Sequence, residues 1–265
     1  MIIAAAQIST TENKKENLDK CLAYIRLAAQ QNARIIVLPE MSMALVTAEN
    51  GIKPTVVAEP IDGPFVKALQ KAAAVAEAYV ICGIFECVEG NEKQAYNSLV
   101  VINPDGSIER VYRKTHLYDA FSYRESDTIL KGDELFEPLD TPFGKIGLMV
   151  CYELRFPEIA RQLSIQGADM IIIPAGWVKG PMKETHWDIL LKARAIENTV
   201  FVCGCNQTGS IYTGRSALVD PMGKILKQLE SEEGVISDYI DRNLVAETRK
   251  KVPCLANRRP DIYRI

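Results

Sequence analysis

Ala33-Arg34-Ile35-Ile36-Val37-Leu38-Pro39 and Ala168-Asp169-Met170-Ile171-Ile172-Ile173-Pro174 are two versions of one phrase: alanine, a charged residue, a β-branched apolar run and proline. Short runs with no polar alternation read as strands buried on both faces, as in a parallel sheet. The surroundings of the two phrases also match. Ahead of the first, residues 2–8 form an apolar run, and 17–31 carries Leu18, Cys21, Leu22, Ile25, Leu27 and Ala28 near helical spacing. Ahead of the second, 145–151 is again an apolar run, and a helix is expected over about 157–166 with Pro157 in its first turn. After each phrase come a loop, a helix (about 64–77 and 184–197) and an apolar strand (79–85 and 200–205). Each half then closes with a hairpin, 97–102 turning at Asn103-Pro104-Asp105-Gly106 and 215–219 at Asp220-Pro221-Met222-Gly223. Neither half covers its own sheet. The expectation is one α/β domain over residues 1–265, with two sheets packed face to face, helices outside, and the longest loop at 43–63.

Composition narrows the function classes. The 265 residues are 48% hydrophobic and 25% charged, ordinary for a globular chain. Lys plus Arg is 31 against 34 for Asp plus Glu, a net charge of -3 without the basic excess that nucleic-acid binding requires. Residues 1–9 lack the basic flank of a secretory signal, and no apolar run approaches the roughly 18 residues of a membrane helix. No membrane partner and a cytoplasmic location are expected. The cysteines, at 21, 82, 87, 151, 203, 205 and 254, are odd in number and scattered, which suggests reduced thiols. With two histidines, no metal site is expected.

In layered α/β folds, loops at strand ends carry the chemistry. Three reactive side chains stand there: Glu40 after Pro39, Lys114 at the end of Val111-Tyr112-Arg113-Lys114, and Cys151 after Gly147-Leu148-Met149-Val150. A thiol that attacks a carbonyl needs a proton acceptor and a cation or N–H donors for the oxyanion. Glu, Lys and Cys together could supply these. Taken singly, each also reads as a solvated loop acid, a surface lysine or a core thiol, and their distance in sequence does not join them.

Leu38-Pro39-Glu40-Met41, Tyr112-Arg113-Lys114-Thr115-His116-Leu117 and Cys151-Tyr152-Glu153-Leu154-Arg155-Phe156-Pro157-Glu158 resemble, in order, the three signature regions of the nitrilase superfamily of carbon–nitrogen hydrolases. The likeness extends from Ala6-Gln7 to the second hairpin. It implies an α-β-β-α sandwich and a Glu-Lys-Cys triad of Glu40, Lys114 and Cys151, acting on an amide through a thioester intermediate. Glu125, in Tyr123-Arg124-Glu125-Ser126, matches the superfamily's second glutamate and would orient the substrate and hold Lys114. The Tyr152 N–H would join Lys114 at the oxyanion, and Lys114 would favour the Cys151 thiolate. Such an enzyme takes a small-molecule amide, needs no cofactor, and works as a homodimer or larger assembly.

The residues after Cys151 resemble the amidase branches. Residues 174–187, with Ala193-Arg194-Ala195 and Asn257-Arg258-Arg259, resemble one amidase subfamily, departing from it at Gly176, where alanine is expected, and in the tail at 260–265. Short ω-amides and generic aliphatic amides are the alternative substrates. For a substrate bearing a carboxylate, Arg155 and Lys179 are candidate partners and Trp177 a candidate pocket wall. Trp187, His186 and Arg194 read as packing or salt-bridge residues. Rival readings are a Cys-His hydrolase using His116 or His186, a redox protein using Cys151 or the Cys203 and Cys205 pair, and a non-catalytic scaffold.

Overall fold

The alternation of side chains between two cores along the first strands explains the layering. The computed structural model describes residues 1–47 and 49–263; Ala48 of the expected loop, and Arg264 and Ile265 of the tail, lie outside the described residues. The first half runs β1 (Ile2–Gln7), α1 (Lys14–Gln30), β2 (Ala33–Val37), a one-turn α2 (Pro54–Val57) inside the expected loop, α3 (Pro64–Ala76), β3 (Tyr79–Val88), β4 (Asn91–Ile102) and β5 (Ile108–Arg113). A linking segment holds the two-residue strands β6 (Asp119–Ala120), β7 (Tyr123–Arg124) and β8 (Ile129–Leu130), with a 3₁₀ turn at Glu125–Asp127. The second half runs β9 (Leu139–Thr141), β10 (Gly144–Leu148), a 3₁₀ turn at Cys151–Arg155, α4 (Pro157–Ile165), β11 (Met170–Ala175) and α5 (Lys183–Asn198). It ends with β12 (Phe201–Asn206), β13 (Ala217–Val219), β14 (Ile225–Gln228), β15 (Gly234–Tyr239) and α6 (Arg242–Lys251). Helix starts follow local chemistry: the Asn13 side chain accepts from the Lys15 and Glu16 N–H groups, and proline opens α3 and α4.

One sheet has the order β15-β1-β2-β3-β4-β5 with β8 beside β4, and the other β14-β13-β12-β11-β10-β9. Strands β1 to β3 are mutually parallel, as are β10 to β12, and the hairpins follow antiparallel. The doubled order expected from the two phrases is present, with one difference. Strand β15, at the end of the second half, crosses to the first sheet and pairs antiparallel with β1, from Ile2 opposite Tyr239 to Gln7 opposite Gly234. Without it β1 would be an open edge.

Ile3, Ala5, Ile35, Val37, Ile81, Leu99 and Val101 point into a core shared with Ile146, Leu148 and Ile171 of the second sheet. Their neighbours Ala4, Ala6, Ile36, Val80 and Cys82 point the other way, against Cys21 and Ile25 of α1 and Phe65 and Leu69 of α3. Ile159, Leu163, Trp187 and Leu191 of α4 and α5 cover the second sheet. The result is a four-layer α-β-β-α sandwich. No helix among the described residues is long and apolar enough to cross a membrane. The ends of β2, β10, β11 and β12 meet across the sandwich, and there the candidate residues gather.

Candidate active site

Glu40 leaves β2 on a backbone held by β3. Leu38 N–H donates to Ile81 O at 2.8 Å, Gly83 N–H to Pro39 O at 3.0 Å, and Ser42 N–H to Gly83 O at 2.8 Å. A Cβ on Gly83 would lie 2.4 Å from Glu40 Cα, so only glycine lets the strands approach this closely. Lys114 leaves β5 with its N–H on Asn97 O at 2.9 Å. Cys151 opens a 3₁₀ turn with φ +44°, a left-handed conformation that a side chain other than glycine's rarely adopts.

Glu153 ties the Lys114 and Cys151 segments together. Fully buried, its carboxylate accepts from Val150 N–H at 2.7 Å, Thr115 N–H at 2.8 Å, Thr115 Oγ1 at 2.8 Å and Tyr112 Oη at 2.9 Å. Arg194 pins the far end of the turn, donating through Nε and Nη2 to Leu154 O at 3.1 and 2.7 Å. Cys151 and Tyr152 stand at the start of this turn, where backbone N–H groups have no acceptor within the helix.

The four side chains with expected roles converge. Lys114 Nζ donates to Glu40 Oε1 at 2.9 Å and to Glu125 Oε2 at 2.8 Å, with side chains 2%, 1% and 7% exposed respectively. Asn97 Nδ2 donates to Glu40 Oε1 at 2.7 Å and Glu125 Oε1 at 3.0 Å, so one amide holds both carboxylates. The Gly176 N–H donates to Glu40 Oε2 at 2.7 Å, and Gln207 Nε2 to Glu40 O at 2.8 Å. Burial opposes the Lys114 charge, but Glu125 and Glu40 outweigh it and hold the ammonium well above the ordinary lysine range.

Cys151 differs from the thiolate expected beside a lysine. Burial and then the negative Glu40 raise its pKa well above the ordinary thiol range, while Lys114 opposes them without prevailing. The shift in this direction favours the protonated thiol, with Glu40 among its neighbours.

Glu40, Lys114, Glu125, Cys151, Tyr152 and Trp177 line one cavity of about 430 Å³, with Lys179 at its rim. Lys179 is exposed and its Nζ donates to Gly209 O at 2.7 Å. Arg155 lies behind this wall, its guanidinium 4.8 Å from the Trp177 ring centroid and Nη2 3.3 Å from His186 Nδ1. A larger cleft of about 1030 Å³ beside β5 and α4 contains none of the expected residues. His116 pairs with Thr115 Oγ1 and packs against the Phe156 ring at a tilt, and Trp187 Nε1 donates to Arg215 O, so both serve packing. Cys203 and Cys205 are fully buried thiols, with pKa values raised by burial.

Asn97, Glu153 and Lys183 were not singled out by sequence. Asn97 sits inside an unremarkable strand, Glu153 lies within the Cys151 motif yet does not line the cavity, and Lys183 reads as one more charge at a helix start.

The family model described as Carbon-nitrogen hydrolase matches residues 2–250. Deaminated glutathione amidase of Escherichia coli O157:H7 is 33% identical over 98% of this chain and 97% of that protein. Omega-amidase NIT2 of Homo sapiens is 30% identical over 99% of this chain and 96% of that protein. The crystal structure of Saccharomyces cerevisiae Nit3, a member of branch 10 of the nitrilase superfamily, superposes with a TM-score of 0.87 at 27% identity, covering 99% of this chain and 97% of that one. With its sandwich fold and this match over nearly its whole length, the chain belongs to the carbon–nitrogen hydrolase family of the nitrilase superfamily and is an amide-hydrolysing enzyme.

Proposed function

We propose that Cys151, Glu40, Lys114 and Glu125 form the catalytic set of an amidase whose substrate is deaminated glutathione, with 2-oxoglutaramate as the second reading. The observation that carries the catalytic assignment is the contact of Lys114 Nζ with both Glu40 and Glu125 on the wall of the cavity that also holds Cys151. Glu40 takes the thiol proton as the sulfur attacks the amide carbon, forming a C–S bond and a tetrahedral oxyanion. The Lys114 charge and the Tyr152 N–H face that oxyanion; loss of one such donor typically slows the reaction about 100 to 1000-fold. Glu40 returns its proton to the departing nitrogen as the C–N bond breaks, leaving a thioester. It then deprotonates water, which adds to the thioester carbon; collapse breaks the C–S bond and releases the acid, and Glu40 returns the proton to sulfur. Glu125 and Asn97 keep Lys114 and Glu40 in place throughout.

Similarity to deaminated glutathione amidase over almost the full length of both chains supports the first substrate, and similarity to omega-amidase NIT2 supports the second. Both substrates transfer the same 2-oxoglutaryl group to sulfur and differ in the leaving amine. Gly176 bears on this difference: an alanine methyl there would lie 2.7 Å from Met41 Cε and 3.4 Å from Glu40 Oε2, so glycine leaves space beside the base. The test is 2-oxoglutarate release from each substrate by wild type and C151A. Turnover that vanishes in C151A, with higher kcat/KM for deaminated glutathione, is expected. Preference for 2-oxoglutaramate would move the assignment to ω-amidase, and failure on both would overturn it.

A further inference from the structure

Lys183, the first residue of α5, is a buried cation that lines the cavity without a counter-ion. It is 4% exposed. Nζ donates to Tyr118 Oη at 2.8 Å and lies 4.1 Å from the Phe121 ring centroid, 4.8 Å from that of Tyr118 and 5.6 Å from that of Trp177. Three aromatic rings therefore surround the ammonium, an arrangement that favours a cation but does not neutralise it. Glu40 and Glu125 are committed to Lys114, and among the described residues no carboxylate forms an ion pair with Lys183.

The other charge in its vicinity is a second cation. Arg155 sits 4.8 Å from the centroid of the same Trp177 ring, and its buried Nε has no hydrogen-bond partner among the described residues. Burial, and then Arg155, lower the Lys183 pKa. An isolated ammonium in a low-dielectric setting is unfavourable, and binding an anion relieves it. Tyr118 uses one of the three N–H donors of the ammonium, leaving two for a carboxylate. Lys183 and Cys151 line the same 430 Å³ cavity, which gives that carboxylate a place relative to the reacting bond.

We propose that Lys183 binds a carboxylate at the far end of the acyl group, making the enzyme selective for half-amides of dicarboxylic acids over neutral amides of equal length. The assignment rests on the amidase reading above and adds to it the residue that sets acyl specificity. Lys179, exposed at the rim, and Arg155, behind Trp177, do not occupy this position. Arg155 instead adds positive potential behind the aromatic wall.

The test compares glutaramate with pentanamide, which has a methyl group where glutaramate has its carboxylate. Wild type should prefer glutaramate. K183Q should lose about 100-fold in kcat/KM on glutaramate, mainly through KM, with less than about threefold change on pentanamide, while K183R keeps much of the preference. Equal loss on both amides, or no loss on either, would overturn the proposal. A second measurement does not depend on turnover: calorimetric binding of glutarate to C151A, expected to disappear in C151A/K183Q. If C151A binds no glutarate, or the double variant binds it equally well, the Lys183 site is refuted even in an active amidase. If glutarate binds through Lys183 but neither amide is hydrolysed, the amidase reading fails while the anion site stands.

Discussion

At the scale of the residue, the protonation state of Cys151 determines how it would work as the proposed nucleophile. Burial and Glu40 raise the thiol pKa, so the proton stays on sulfur at pH values where a free cysteine has lost it. Thiolate therefore forms later, not earlier, as pH rises, and in the proposed mechanism attack at neutral pH depends on Glu40 as base. The ultraviolet thiolate band in the difference between wild type and C151A should appear only above the ordinary thiol range. A band already present at neutral pH would mean that Lys114 prevails over burial and Glu40. Glu40, Lys114, Cys151 and Glu125 stand out as candidates in the sequence because each lies in a stretch that resembles the superfamily. Asn97 and Lys183 do not, because their significance depends on partners distant along the chain. Asn97 reaches Glu40 across 57 positions and Lys183 reaches Tyr118 across 65. No window around either residue contains that information.

At the scale of the element, the 3₁₀ turn at Cys151–Arg155 is held by the Glu153 carboxylate, which joins it to the strand exit carrying Lys114. The carboxylate accepts N–H and O–H donors and presents none, as buried satisfaction requires. E153Q keeps the shape but turns an NH₂ group toward these donors and should destabilise the fold by about 2–4 kcal/mol. In a chain of this size that corresponds to roughly 5–15 °C in Tm. Thermal melting checks the stability, and kcat should fall as well because the positions of Lys114 and Cys151 both depend on the tie. An unchanged melt would show that Glu153 is dispensable. The parallel strands and their helices were readable because apolar runs and helical spacing are local signals. The start of β4 was not, since Asn91-Glu92-Lys93-Gln94 is polar and is held by the pairing of Asn91 with Val88 and by Gln94 Nε2, which donates to Ser126 O at 3.0 Å. Nor were β15 and α6: a short half-polar strand and a largely charged helix gain their place from β1 and from the second sheet.

At the scale of the whole molecule, the candidate site is divided between the halves. Glu40, Asn97, Lys114 and Glu125 precede the second sheet in the chain, whereas Cys151, Gly176, Lys183 and Gln207 belong to the second half. Each half also lacks what completes its structure. The first sheet needs β15 from the end of the chain, and both sheets lose the shared core if parted. A break in the exposed segment at 133–134 therefore separates the proposed base from the proposed nucleophile and opens an apolar face on each piece. Expressed singly, 1–133 and 134–265 should be inactive and prone to aggregate, since β1 becomes an unpaired edge in the first and β15 has no strand to pair with in the second. Expressed together, they should regain measurable hydrolysis by re-forming the interface between the sheets. Hydrolysis by 134–265 alone, abolished by C151A, would show that Glu40 and Lys114 are not required, and the composite site would have to be abandoned.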